Sequence, residues 1–196
     1  MSNLPNILTS IRILLVPILV VVLLTKFDGK EFVGLGLFLL AALTDFLDGY
    51  FARRFNLVTR FGQLLDPAAD KILIAAAFVS LVELDASVTP SWIVVAILAR
   101  EFAVNALRSH AAAEQVIIPA GVSGKIKTGA QIVAISLLII YNQLGAFSHL
   151  APISLWVALI VTLYSGFEYF ARYRRQLNGA GSRPAPPAPP QPPATA

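Results

Sequence analysis

The sequence predicts an all-α, polytopic membrane protein: six transmembrane helices in one bundle, with both termini in the cytosol. Three observations carry that reading. The 196-residue chain is 57% hydrophobic and only 13% charged, with a mean hydropathy of +0.73; soluble domains are about 45–50% apolar and about 25% charged. Its apolar residues gather into six stretches of about 20 residues, or nearly so, the length that crosses about 30 Å of hydrocarbon. Its basic residues cluster in alternate connections between those stretches, the asymmetry that orients a protein in a bilayer.

The first expected span is Leu8–Thr25. Its apolar run is too long for a signal-peptide core and no small-residue cleavage site follows, so it is expected to be a retained helix. Asn6 or Thr9 can cap it, and Arg12, about one turn inside, needs a partner or a phosphate. The second span is Phe32–Ala52. The third, Pro67–Leu84, is expected to open with Asp66 as N-cap and Pro67 at the first helical position. The fourth, Trp92–Ala112, carries Arg100 and Glu101 well inside an apolar stretch; they are expected to pair with each other or with another helix. The fifth and sixth are Thr128–Leu144 and Pro152–Phe170. Short connections make residues 1–176 one domain. Residues 177–196, rich in Ala and Pro, are expected to be disordered or polyproline II.

Orientation follows from charge. The 53–60 connection holds Arg53, Arg54 and Arg60; the 108–127 connection holds Arg108, Lys125 and Lys127; the C-terminal flank holds Arg172, Arg174 and Arg175. With six spans these fall on one side, together with the N-terminus, and that side is cytosolic. On the other side Lys26 and Lys30 are offset by Asp28 and Glu31. The formal net charge of +4 therefore reads as topology and anionic-lipid contact, not nucleic-acid binding. The absence of Cys excludes disulfides and thiolate metal sites. His110 and His149 fit no catalytic pattern.

The chemistry is concentrated between residues 45 and 70, DFLDGYFARRFNLVTRFGQLLDPAAD. Asp45 and Asp48 are spaced i,i+3 and Asp66 and Asp70 i,i+4, so each pair shares one face of a helix. Two such pairs can converge on a metal, and oxygen-only ligands favour hard cations such as Mg²⁺ or Mn²⁺. Four carboxylates this close repel one another without counter-charge. The alternative is capping, or pairing with Arg53, Arg54, Arg60 and Lys71. Gly49, Ala52 and Gly62 permit close helix packing.

Asp45, Asp48, Gly49, Ala52, Arg53, Gly62, Asp66 and Asp70, at these fixed gaps, resemble the signature of the CDP-alcohol phosphatidyltransferase family. The N-terminal PNILTSIR resembles the family as well, and AREFAVNALR followed by GKIKTGAQ is similar to its bacterial phosphatidylglycerophosphate synthase branch. The resemblance implies transfer of a phosphatidyl group from CDP-diacylglycerol to sn-glycerol 3-phosphate, releasing CMP, on the way to phosphatidylglycerol and cardiolipin. It implies two Mg²⁺ or Mn²⁺ ions on Asp45, Asp48, Asp66 and Asp70, with Asp70 as general base. Asn6, Thr9, Gly49, Ala52, Arg53 and Gly62 would contact CDP-diacylglycerol, Arg53 facing the pyrophosphate. Arg108, Lys125 and Lys127 would hold the acceptor phosphate; ordinary cytosolic-side charge is the plainer alternative for those three. The resemblance also implies a homodimer in the bacterial cytoplasmic membrane, surrounded by lipid, with its active site at the cytosolic face. Inositol phosphate, phosphatidylglycerol or serine are the alternative acceptors within the family. Outside it, a small ion transporter could also place acidic residues in its spans, but its site would more naturally lie near the midplane.

Overall fold

Each apolar stretch folds as an α-helix, the form that satisfies every backbone N–H and C=O within its own segment. The computed structural model describes residues 4–55, 60–114 and 121–180, with side chains described over 10–44, 69, 71–114 and 121–176. Six α-helices and no strand are found among the described residues: α1 (Leu4–Leu24), α2 (Lys30–Phe55), α3 (Arg60–Leu84), α4 (Ser91–Ala113), α5 (Val122–Ile139) and α6 (Leu150–Ala180). The stretches Val122–Ile139 and Gly145–Gln176 are long and apolar enough to cross a bilayer by length and composition, and Ser10–Leu24 is a shorter apolar helix.

Four helices depart from their expected boundaries. Helix α3 begins at Arg60, so Asp66 and Pro67 lie inside it and Asp66 is not its N-cap; the helix runs through Pro67, which lacks the N–H for one ladder bond. Helix α1 begins at Leu4, so Asn6 and Thr9 are helical residues and not caps. Helix α5 occupies Val122–Ile139, displaced toward the N-terminus from the expected 128–144. Beyond it the chain tightens into 3₁₀ turns at Tyr141–Gln143 and Gly145–Phe147, with Gly145 at φ +53°, a conformation that favours glycine. Helix α6 continues to Ala180, four residues into the segment expected as a tail; residues 181–196 lie outside the described residues.

The core is a seam of aliphatic and aromatic side chains from all six helices. On α3 the buried positions Leu73, Ile74, Ala77, Phe78 and Leu81 repeat at helical spacing and form one stripe. They meet Leu19 and Leu23 of α1, Phe38 of α2, Ile93 and Ile97 of α4, Ile135 of α5 and Leu155 of α6. Outside this seam the usual polarity is inverted. Leu14, Val21, Phe32, Val95, Ile160 and Phe167 are exposed, whereas Arg12, Glu101, Lys127 and Gln131 are buried. An apolar exterior around buried charges suits lipid and not water as the surrounding medium.

Successive helices joined by short connections alternate in direction. The start of α3, the end of α4, the start of α5 and the end of α6 therefore meet at one end of the bundle, and their side chains touch there, from Lys71 and Glu101 to Lys127 and Ser165. At the opposite end, Leu23, Lys30, Asp85 and Tyr141 line one small cleft.

Candidate active site

Helix α4 carries adjacent charges, Arg100 and Glu101, about 100° apart around the helix. Glu101 is 4% exposed, so its carboxylate must be satisfied by protein groups. Its Oε2 accepts a 2.7 Å hydrogen bond from Lys127 Nζ on α5 and lies 3.5 Å from Lys71 Nζ on α3. Its Oε1 accepts bonds from Arg100 Nη1 at 2.9 Å and from Gln131 Nε2 at 3.3 Å. Gln131 Nε2 also donates to Thr162 Oγ1 of α6 at 3.2 Å, and Arg100 Nη2 donates to Ser165 Oγ at 3.0 Å. The carboxylate thus ties α4 to α3 and α5, and Arg100 and Gln131 extend the network to α6. Arg100 can lie against α6 because residue 166 is glycine: a Cβ there would stand 2.9 Å from Arg100 Cγ and Nε.

Beside this cluster opens a cavity of about 640 Å³. Among the described residues its wall carries Lys71, Arg100, Arg108, Lys125, Lys127 and Arg172 with two carboxylates, Glu101 and Glu168. Arg108, exposed near the end of α4, lies over the ring of Tyr169, 5.7 Å from its centroid, a cation–π arrangement. Arg172 pairs with Glu168 one turn before it on α6 and lies against Gly121. These described cations can attract an anion, since fixed guanidinium and ammonium groups suit phosphate oxygens.

Of the residues expected to hold the acceptor phosphate, Arg108, Lys125 and Lys127 all line this one cavity. They differ in setting: Arg108 and Lys125 are exposed, whereas Lys127 is buried and bonded to Glu101. Sequence reasoning did not place Lys71, Ser165, Tyr169 or Arg172 at the cavity, and took Arg172 as a flanking topology charge. The signal was present for Arg100 and Glu101, whose charges inside an apolar span demand partners.

The acidic motif sits at the same end of the bundle. Asp45 and Asp48 lie on the helical backbone of α2, and Asp66 and Asp70 on that of α3. Their side chains lie outside the described residues, as do those of Asn6, Thr9, Gly49, Ala52, Arg53 and Gly62. Asp70 directly precedes Lys71, so the motif abuts the cavity wall through the chain itself. No group of three or more His, Cys, Asp or Glu that could hold a metal is found among the described residues.

The family model for CDP-alcohol phosphatidyltransferases matches residues 2–164. The chain belongs to this family. Its members are transferases, and so is this protein. It is 44% identical over 187 residues to the CDP-diacylglycerol–glycerol-3-phosphate 3-phosphatidyltransferase of Bacillus subtilis (strain 168), covering 88% of this chain and 95% of that one. Its identity to the enzyme of the same name from Rickettsia typhi is 38% over 174 residues, with 87% and 96% covered. It is 36% identical over 181 residues to a probable phosphatidylglycerophosphate synthase of Mycobacterium tuberculosis (strain H37Rv), with 91% and 85% covered.

Proposed function

We propose that this chain transfers the phosphatidyl group of CDP-diacylglycerol to sn-glycerol 3-phosphate and releases CMP, a step of phospholipid biosynthesis. The observation that carries the reading is the cation-rich cavity whose wall includes Lys71, the chain neighbour of Asp70. An anionic acceptor held there lies next to the helix that bears half of the acidic motif. The names of the relatives supply the two substrates.

The donor set fits a divalent metal. Two carboxylate pairs, each on one face of a helix, offer only oxygen ligands, the chemistry of Mg²⁺ or Mn²⁺. Asp45, Asp48, Asp66 and Asp70 would hold the metal, as two ions, and it would neutralise pyrophosphate charge as CMP departs. Asp70 takes the proton from the acceptor hydroxyl, whose oxygen displaces CMP at the phosphatidyl phosphorus. Arg108, Lys125 and Lys127 hold the acceptor phosphate and so orient that hydroxyl, which supplies catalysis by positioning. Asn6, Thr9, Gly49, Ala52, Arg53 and Gly62 line the nucleotide side, with Arg53 on the pyrophosphate. The protein spans the bacterial cytoplasmic membrane six times as a homodimer, with this end of the bundle at the cytosolic face. The two lipid tails remain in the bilayer. Residues 1–176 carry the activity.

The test is CMP release by purified protein in detergent with CDP-diacylglycerol and Mg²⁺ or Mn²⁺. Glycerol 3-phosphate, inositol phosphate, serine and phosphatidylglycerol are supplied in separate reactions. Release with glycerol 3-phosphate alone is expected. Release with another acceptor would replace the substrate assignment, and no release with any would remove the transferase reaction proposed for this site.

A further inference from the structure

Glu101 contributes no group that an anionic acceptor could use, yet it sits buried at the wall of an anion-receptive cavity. A carboxylate there weakens the local positive potential, so its presence needs another explanation. It gathers three cations from three helices, Lys71, Arg100 and Lys127, while supplying charge for only one. Its neighbour Gln131 is itself bonded to Thr162, and Arg100 is also tied to Ser165. Arg100, which reaches the cavity, is therefore held from two sides, and Gln131 links the carboxylate to α6.

We propose that Glu101 is a positioning residue for the transfer reaction: its carboxylate fixes Lys71, Arg100 and Lys127 at the cavity wall and holds the start of α3, which carries Asp70, in register with the acceptor cavity. The inference rests on the reaction proposed above and adds to it a residue that touches neither substrate. Because it opposes the cavity's charge, Glu101 trades acceptor affinity for placement. A merely structural ion pair makes no such trade.

The opposing effects give a signature. Glu101→Gln keeps the size and removes the charge. Turnover is expected to fall about 10- to 100-fold, the scale of a misplacement near 1 Å. KM for glycerol 3-phosphate falls severalfold as Lys127 and Arg100 are freed toward the anion, and KM for CDP-diacylglycerol stays the same. Glu101→Asp keeps the charge on a shorter arm. It is expected to restore the wild-type KM for glycerol 3-phosphate while turnover remains at least about 10-fold low. Should Glu101→Gln fail to fold, Glu101→Asp with wild-type turnover would by itself overturn the inference. Loss of turnover that merely follows the folded fraction, with both KM values unchanged in Glu101→Gln, would overturn it as well. If wild-type protein releases no CMP with glycerol 3-phosphate, the acceptor assignment fails separately. Glu101 is then judged by the rise in melting temperature with inorganic phosphate. Tighter phosphate binding in Glu101→Gln supports the inference, and equal binding overturns it.

Discussion

Replacing Gly166 by alanine tests how closely α4 and α6 are fitted at the site. In an ordinary helix the change adds about 1 kcal/mol of stability through propensity. Gly36 of α2, whose added Cβ would meet nothing within 4 Å, is the control expected to show that gain. At Gly166 the new Cβ would stand 2.9 Å from Cγ and Nε of Arg100, atoms in the middle of the side chain, so Arg100 must leave its position. It then forfeits its bonds to Glu101 at 2.9 Å and to Ser165 at 3.0 Å. A hydrogen bond to a charged group contributes about 1.5–3 kcal/mol. Losing one, offset by the propensity gain, leaves a net loss of about 0.5–2 kcal/mol, and losing both a loss of about 2–5 kcal/mol. In a chain of this length 1 kcal/mol corresponds to about 2–4 °C. Thermal unfolding of purified protein in detergent should therefore place Gly166→Ala below wild type and Gly36→Ala at or above it. Equal midpoints for the two variants would refute the close approach of Arg100 to α6.

Two further outcomes follow from named contacts. Arg108→Ala and Lys125→Ala each remove one exposed cation from the cavity wall; steady-state CMP release should show KM for glycerol 3-phosphate raised about 10-fold, as for one charge-assisted bond, with KM for CDP-diacylglycerol unchanged. In the α3–α4 connection, Asp85 accepts bonds from the Ser87 hydroxyl and from the backbone N–H groups of Ser87 and Val88. The Ser87 hydroxyl leads in holding the Asp85 carboxyl below its usual value. A depressed folded-state pKa stabilises the fold above the ordinary carboxylate value of about 3.9 and ceases to do so as pH falls through the lowered one. Asp85→Ala should accordingly unfold slightly below wild type at neutral pH, and the two melting curves should converge in acid.

The number of helices was legible because an apolar stretch of membrane length has one stable form, and among the described residues an α-helix covers most of each expected stretch. Their ends were less legible. Asp66-Pro67 carries a strong helix-start signal, yet α3 begins at Arg60 and runs through it. Helix α5 ends at Ile139, where the chain tightens into 3₁₀ turns that hydropathy does not register. At the site, Arg108, Lys125 and Lys127 could be grouped because alternating helices return the same end of the bundle to one place. The burial of Lys127 against Glu101 could not be read, since it depends on how α4 and α5 are rotated toward each other. Arg172 escaped notice for a related reason: a basic residue at the end of a span serves orientation and site equally well, and only packing against Gly121 and Glu168 shows where it lies.

The most direct measurement is formation of phosphatidylglycerophosphate from CDP-diacylglycerol and glycerol 3-phosphate, followed by mass spectrometry. It compares wild-type protein with Mg²⁺, wild-type protein after chelation, and Asp70→Asn with Mg²⁺. The account predicts product in the first, none in the second until metal is restored, and a loss of at least about 100-fold in the third. Undiminished product after chelation, or in Asp70→Asn, would contradict a metal-dependent transfer centred on the acidic motif.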